Sequence, residues 1–91
     1  MYGGYGEEKM NIISIDTPVA VKGFTIVPVV KLSTEYSLKG GIAAYVIKQP
    51  VAAVTISSIG EKAFRITGEQ MSLQQLFQEF PEIKDELETI I

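Results

Sequence analysis

The sequence predicts an α+β domain with a mainly antiparallel sheet of four to six strands, followed by two short C-terminal helices. Apolar residues alternate with a period of two over most of the chain, and the last quarter changes to a helical period. Strands that precede helices, rather than alternating with them, favour this class. The 91 residues have room for one domain, residues 10–91, after a flexible Gly- and Tyr-containing arm at residues 1–9.

The first predicted strands are short and end at turn signals. Met10–Ile15 is an apolar run, and Asp16-Thr17-Pro18 predicts a turn because proline lacks an N–H and fixes φ. Val19–Val21 then predicts a second extended segment, which ends at Lys22-Gly23.

Phe24–Leu32 is the clearest strand, and both of its faces are apolar in the middle. Such a strand is expected to be covered on both sides. Pro28 cannot donate to a ladder, so we expect it at an edge or a bulge. The polar segment Ser33–Gly41 ends in two glycines and predicts a loop.

Three further strands are predicted at Ile42–Lys48, Val51–Ser57 and Lys62–Thr67. Gln49-Pro50 predicts a hairpin connection between the first two, either a tight turn with a cis proline or a wider loop with a trans one. Ile59-Gly60 predicts the next hairpin turn, because glycine supplies a positive φ.

A capping box defines the start of the helical segment. Ser72 and Gln75 have the spacing at which each side chain reaches an orphan N–H of the first turn, and Met71 and Leu76 fit a hydrophobic staple. Pro81 is disfavoured inside a helix, so we predict one helix from Leu73 to about Phe80 and another from Pro81 or Glu82 onward. An apolar stripe continues through both, at Leu76, Phe80, Ile83, Leu87 and Ile90.

Composition excludes several kinds of chemistry. The chain has no Cys, His or Trp, which excludes Cys/His zinc sites, disulfides, cysteine nucleophiles and Ser-His-Asp triads. A net charge of −3 and a pI near 4.8 argue against a nucleic-acid binder. The residues show no catalytic motif and no cofactor motif, so we predict a protein that is not an enzyme.

We expect a cytoplasmic protein with no membrane span. The longest apolar run, Ile42–Ile47, is far shorter than the roughly 20 residues that cross a bilayer. The first residues show no secretory signal.

Six acids and one base lie between Glu69 and Ile91. Glu79, Glu82 and Glu86 recur at helical spacing, and carboxylates are ligands for calcium or magnesium. A solvated helix face opposite the apolar stripe explains the same pattern, so we predict no metal site.

The segment Gly23–Ser33, GFTIVPVVKLS, resembles a signature of the GerW (YtfJ-type) sporulation protein family. In that family a Thr-Ile-Ile-Pro-Val-x-Lys-Val strand is followed by a Gly-rich loop and a strand ending in Pro-Val-Ala. The matching positions are Thr25, Ile26, Val27, Pro28, Val29, Lys31, Gly40, Gly41, Pro50, Val51 and Ala52, with a last strand at Ala63–Ile66.

The resemblance covers residues 17–66. The Gly-rich loop is shorter here, and the helices follow the strands instead of preceding them. The resemblance implies a non-enzymatic cytoplasmic protein with a part in sporulation.

The strands with two apolar faces predict self-association. Two short helices can cover one face of the sheet, and the other face would leave a large apolar patch in water. We therefore predict a homodimer, or a complex with another protein. The sequence does not decide which face of the sheet the helices cover. The predicted interface residues are Ile26, Val27, Val29, Val51, Ala53 and Val54. The alternative function is a domain that binds a small apolar or lipid-like ligand between helices and sheet.

Overall fold

The computed structural model describes residues 7–37 and 43–91 and confirms the predicted fold class. Within these residues a six-stranded antiparallel sheet is followed by two short helices, α1 and α2, joined by a 3₁₀ turn at Pro81–Ile83. The strands are β1 Glu7–Ile15, β2 Val19–Val21, β3 Phe24–Ser37, β4 Ala43–Ser57, β5 Gly60–Arg65 and β6 Gln70–Met71. The helices are α1 Leu73–Glu79 and α2 Lys84–Ile90.

Strand β3 lies in the middle of the sheet. Its neighbours on one side are β1 and β2, and β4 lies on the other side, followed by β5 and β6. All of these pairings are antiparallel. The ladder between β3 and β4 extends from the pair Phe24–Ser57 to the pair Ser37–Ala43 and is the longest in the sheet.

The predicted hairpin at Gln49-Pro50 is wrong, because β4 continues through it as one strand. The described residues contain no cis peptide bond, so Pro50 is trans. Val29 pairs with Ala52 and Val30 pairs with Pro50, which leaves Val51 as an extra residue in a bulge. A bulge accommodates a proline within a strand because the regular ladder is already interrupted there.

Other strands also differ from the prediction: β5 covers Gly60–Arg65 instead of Lys62–Thr67, and the short strand β6 was not predicted. β3 continues to Ser37, through the first half of the predicted loop, while residues 38–42, with Gly40 and Gly41, lie outside the described part. β1 begins at Glu7 instead of Met10. Residues 7–9 of the predicted arm are therefore strand, and residues 1–6 lie outside the described residues.

Pro28 lies opposite the break between β1 and β2. β1 ends at Ile15, which pairs with Val29, and β2 begins at Val19, which pairs with Ile26. The backbone N–H of Asp16 donates to the Pro28 carbonyl at 2.9 Å. In a strand the N–H and C=O of one residue point to the same side. The missing N–H of Pro28 therefore faces this break, and the ladder to β4 loses nothing.

The predicted capping box is present at the start of α1. The Ser72 hydroxyl accepts from the Gln75 backbone N–H at 3.0 Å, and the Gln75 side-chain oxygen accepts from the Ser72 backbone N–H at 3.1 Å. Both residues of the staple, Met71 and Leu76, are buried in the same core cluster. The helices break where Pro81 predicts, since Pro81 begins the 3₁₀ turn after α1.

Replacing Ser72 by alanine should lower the free energy of unfolding by about 0.5–2 kcal/mol, because a backbone N–H of the first turn loses its acceptor. Urea denaturation followed by circular dichroism measures the change. Gln78→Ala, at an exposed position of the same helix, is the control and should leave the midpoint almost unchanged. An equal midpoint for Ser72→Ala and wild type would contradict the role of the cap.

The core lies between the helices and one face of the sheet. Strands β3, β4 and β5 contribute small and β-branched side chains, β6 contributes a methionine, and Leu76, Ile83 and Leu87 enter from the helical segment. The cluster consists of Val27, Val29, Ala52, Val54, Ala63, Met71, Leu76, Ile83 and Leu87. Three members of the predicted apolar stripe are thus fully buried, while Ile90 is 37% exposed.

Candidate functional site: the uncovered face of the sheet

The strand register divides the apolar residues between two faces of the sheet. Val27 and Val29 pair with Val54 and Ala52, and all four belong to the cluster beneath the helices. Successive side chains of a strand point to opposite faces, so the even-numbered residues of β3 lie on the other face. We call this other surface the open face. It comprises Ile12, Val19, Val21, Phe24, Ile26, Pro28, Val30, Leu32, Ala53, Thr55 and Phe64, and the register places the charged Lys48 and Lys62 on the same face.

Much of the open face is in contact with solvent. Val19 and Ile12 are each 50% exposed, and Phe24 is 41% exposed. Val30 is the buried exception, between its cross-strand partners Ser14 and Pro50. Within residues 7–37 and 43–91, the helical residues of the core cluster all pack on the opposite side. The result is a contiguous apolar surface on a single chain, which is typical of an interaction site.

The structure separates the six predicted interface residues into two groups. Val27, Val29 and Val54 are 0% exposed beneath the helices, and Val51 packs against the same cluster. Their side chains are therefore occupied within the chain. Ile26 and Ala53 lie on the open face, half-buried by their neighbours alone. The sequence does not decide which face of the sheet the helices cover. The structure shows that they cover the face with Val27 and Val29.

The open face has a concave region at the end of the β4–β5 hairpin. Its floor is made of Thr55, Ser57 and Gly60, and larger side chains surround it. The volume is about 400 Å³. The complete lining is Phe24, Thr55, Ser57, Ile59, Gly60, Lys62 and Phe64. Sequence reasoning missed this pocket, because it depends on residues of three elements that only the strand register brings together.

An ion pair lies farther along the sheet. The Lys48 ammonium is 3.2 Å from the Asp16 carboxylate, which also accepts from the Thr17 backbone N–H at 2.9 Å. The hydrogen bond from the Thr17 N–H is the larger cause that lowers the pKa of Asp16, and the hydrogen bond from Lys48 lowers it further. Both partners are substantially exposed, so the pair contributes little to stability.

A second ion pair joins the sheet to α1. The Arg65 guanidinium donates to both carboxylate oxygens of Glu79, at 2.7 and 2.5 Å. The hydrogen bonds from Arg65 lower the pKa of Glu79. Glu79 is therefore paired with Arg65 and is not a free acidic group. Among the described residues, no three His, Cys, Asp or Glu side chains gather closely enough to hold a metal ion.

In the part of the chain that the structure describes, no helix has the length and apolar character to cross a membrane. Comparison with known proteins found no match for the chain among family models, curated proteins or solved structures. The geometry of the open face is accordingly the basis for assigning a function.

Proposed function

We propose that this protein is a non-catalytic, cytoplasmic interaction module that forms a homodimer through the open face of its sheet. The observation that carries the proposal is the contiguous apolar surface around Phe24 and Ile26, on the side of the sheet away from the helices. A monomer would keep this surface in water, at a cost that association removes.

The size of the open face suits a dimer. Along β3 it extends over the eight residue steps from Phe24 to Leu32, or about 26 Å at roughly 3.3 Å per step. Three strands at about 4.8 Å each run over this length, and β5 adds a fourth over the roughly 17 Å from Phe24 to Val29. The flat footprint is then about 450 Å² per copy, and two copies bury about 900 Å², close to the lower bound of about 1,000 Å² for a specific interface. Two such faces pack at about 10 Å separation, and two-fold symmetry is the commonest arrangement.

The resemblance to the GerW family stays a prediction, and so does a part in sporulation. It supports the proposal only in that the family is not tied to an enzymatic reaction. The residues from Thr25 to Lys31 that carry the resemblance form the middle of β3. This segment contributes to both the core and the open face.

Sedimentation velocity of the wild type and of Ile26→Asp tests the proposal. At tens of micromolar, the wild type should sediment with twice the 10.0 kDa mass of the chain. Ile26→Asp should be a folded monomer, because a carboxylate at the centre of the interface would be buried without a partner. Ile91→Asp is the matched control, since Ile91 is an exposed isoleucine beyond α2 and should leave the dimer intact.

A monomeric wild type at these concentrations would refute the dimer. So would an Ile26→Asp variant that sediments as a dimer.

A further inference from the structure

The pocket at the β4–β5 hairpin is shaped by a contrast in side-chain size. Thr55, Ser57 and Gly60 form a low floor between larger residues of β3, β5 and the turn. Gly60 has a φ of +129°, a conformation that favours glycine, and a Cβ built there would meet no atom within 4 Å. The space beside Gly60 is therefore open. The pocket volume of about 400 Å³ lies within the usual range for small-molecule sites.

The walls combine apolar surface with a single cation. Phe24, Phe64 and Ile59 supply the apolar part, and Ile59 is almost entirely in solvent. Lys62 is the one charged side chain among the residues that line the pocket. It is the cross-strand partner of Thr55, so its side chain rises from the same face as the floor.

We infer that this pocket binds a small amphipathic anion, with its hydrocarbon part between Phe24 and Phe64 and its carboxylate at the Lys62 ammonium. Burial of hydrocarbon against the aromatic walls supplies most of the affinity. The ammonium selects the charge, because a cationic headgroup there would be repelled and a neutral one would gain no ion pair. The pocket lies on the open face, and none of its lining residues belongs to the core cluster beneath the helices.

The pocket is part of the open face, so a second copy of the chain packed there would compete with the ligand. The inference itself does not require the dimer, because the lining comes from one chain. Ile12→Asp tests ligand binding separately from the dimer, because it disfavours the packing of a second copy on the open face and leaves the pocket lining unchanged. Ile12 pairs with Leu32, about 26 Å along β3 from Phe24 at roughly 3.3 Å per residue, so it adds a charge to the open face far from the pocket.

Decanoate, decanol and decylamine serve as probes that share one hydrocarbon chain and differ in headgroup charge. Each is titrated into ¹⁵N-labelled wild type and Ile12→Asp, and backbone amide shifts are followed by NMR. Decanoate should shift the amides of residues 55–64 saturably, and decanol and decylamine should bind more weakly, in that order. In Lys62→Met, decanoate should bind about three- to fivefold more weakly, the effect expected of an exposed ion pair, and lose its preference over decanol.

Thr55→Phe fills the pocket floor and should abolish the decanoate shifts while the fold is retained. Lys22→Met is the control, because Lys22 lies in the turn at the same end of the sheet but does not line the pocket. Equal binding of decylamine and decanoate, or decanoate binding that Thr55→Phe leaves unchanged, would overturn the inference. Absence of any decanoate shift in both wild type and Ile12→Asp would also overturn it. If the wild type is monomeric and binds decanoate, the proposed homodimer is refuted and the proposed ligand site is supported.

Discussion

Replacing Val29 by aspartate should prevent the chain from folding. Val29 is 0% exposed beneath the helices and pairs with Ala52, directly beside the bulge in β4. A lone carboxylate in this cluster must either lose its hydration or become protonated, at a cost of several kcal/mol. That is a large part of the roughly 5–15 kcal/mol by which a domain is stable.

Circular dichroism and ¹⁵N–¹H NMR spectra measure this outcome. The matched control is Ile26→Asp, the same kind of change on the other face of the same strand, three positions away. Ile26→Asp should give a dispersed spectrum, because its carboxylate points to the open face. A folded Val29→Asp protein with the urea midpoint of the wild type would show that the helices do not cover this face.

Replacing Leu87 by alanine should lower the free energy of unfolding by about 2–5 kcal/mol, the usual cost of removing a fully buried leucine and leaving a cavity. Leu87 is 0% exposed and is the fully buried residue of α2. A helix of seven residues has little stability by itself, so this contact largely holds α2 on the sheet.

Urea denaturation compares Leu87→Ala with Ile90→Ala, a truncation at an exposed position of the same helix. Ile90→Ala should cost much less, because its side chain is already partly in water. Equal midpoints for the two variants would contradict the packing of α2 against the core.

The helical segment was largely predictable from sequence. The capping box at Ser72 and Gln75 and the break at Pro81 depend on residues close together in the chain, so local chemistry decides them. The apolar spacing also identified Leu76, Ile83 and Leu87 as the buried side of the helices. Periodicity reports which side of a helix is apolar whatever it packs against.

The continuity of β4 was not predictable in this way. Proline usually ends a strand, so the sequence alone predicts a hairpin connection at Pro50. The β3–β4 ladder retains hydrogen bonds on both sides of Pro50 and places the extra residue, Val51, in a bulge. Long-range pairing therefore overrode a local turn signal. The same pairing extended β3 through Ser37, in a segment whose polar composition favours a loop.

The sequence by itself determined the class of the fold, with strands followed by two short helices, and the exclusion of Cys/His chemistry, because composition and periodicity are properties of the chain. It also identified Ile26 to Val30 as a segment apolar on both faces. Only the tertiary structure decided that the helices cover Val27 and Val29, leaving Ile26 and Phe24 toward solvent. A strand with two apolar faces fits the helices equally well either way, so the choice depends on register and on the path of the chain from β6 into α1.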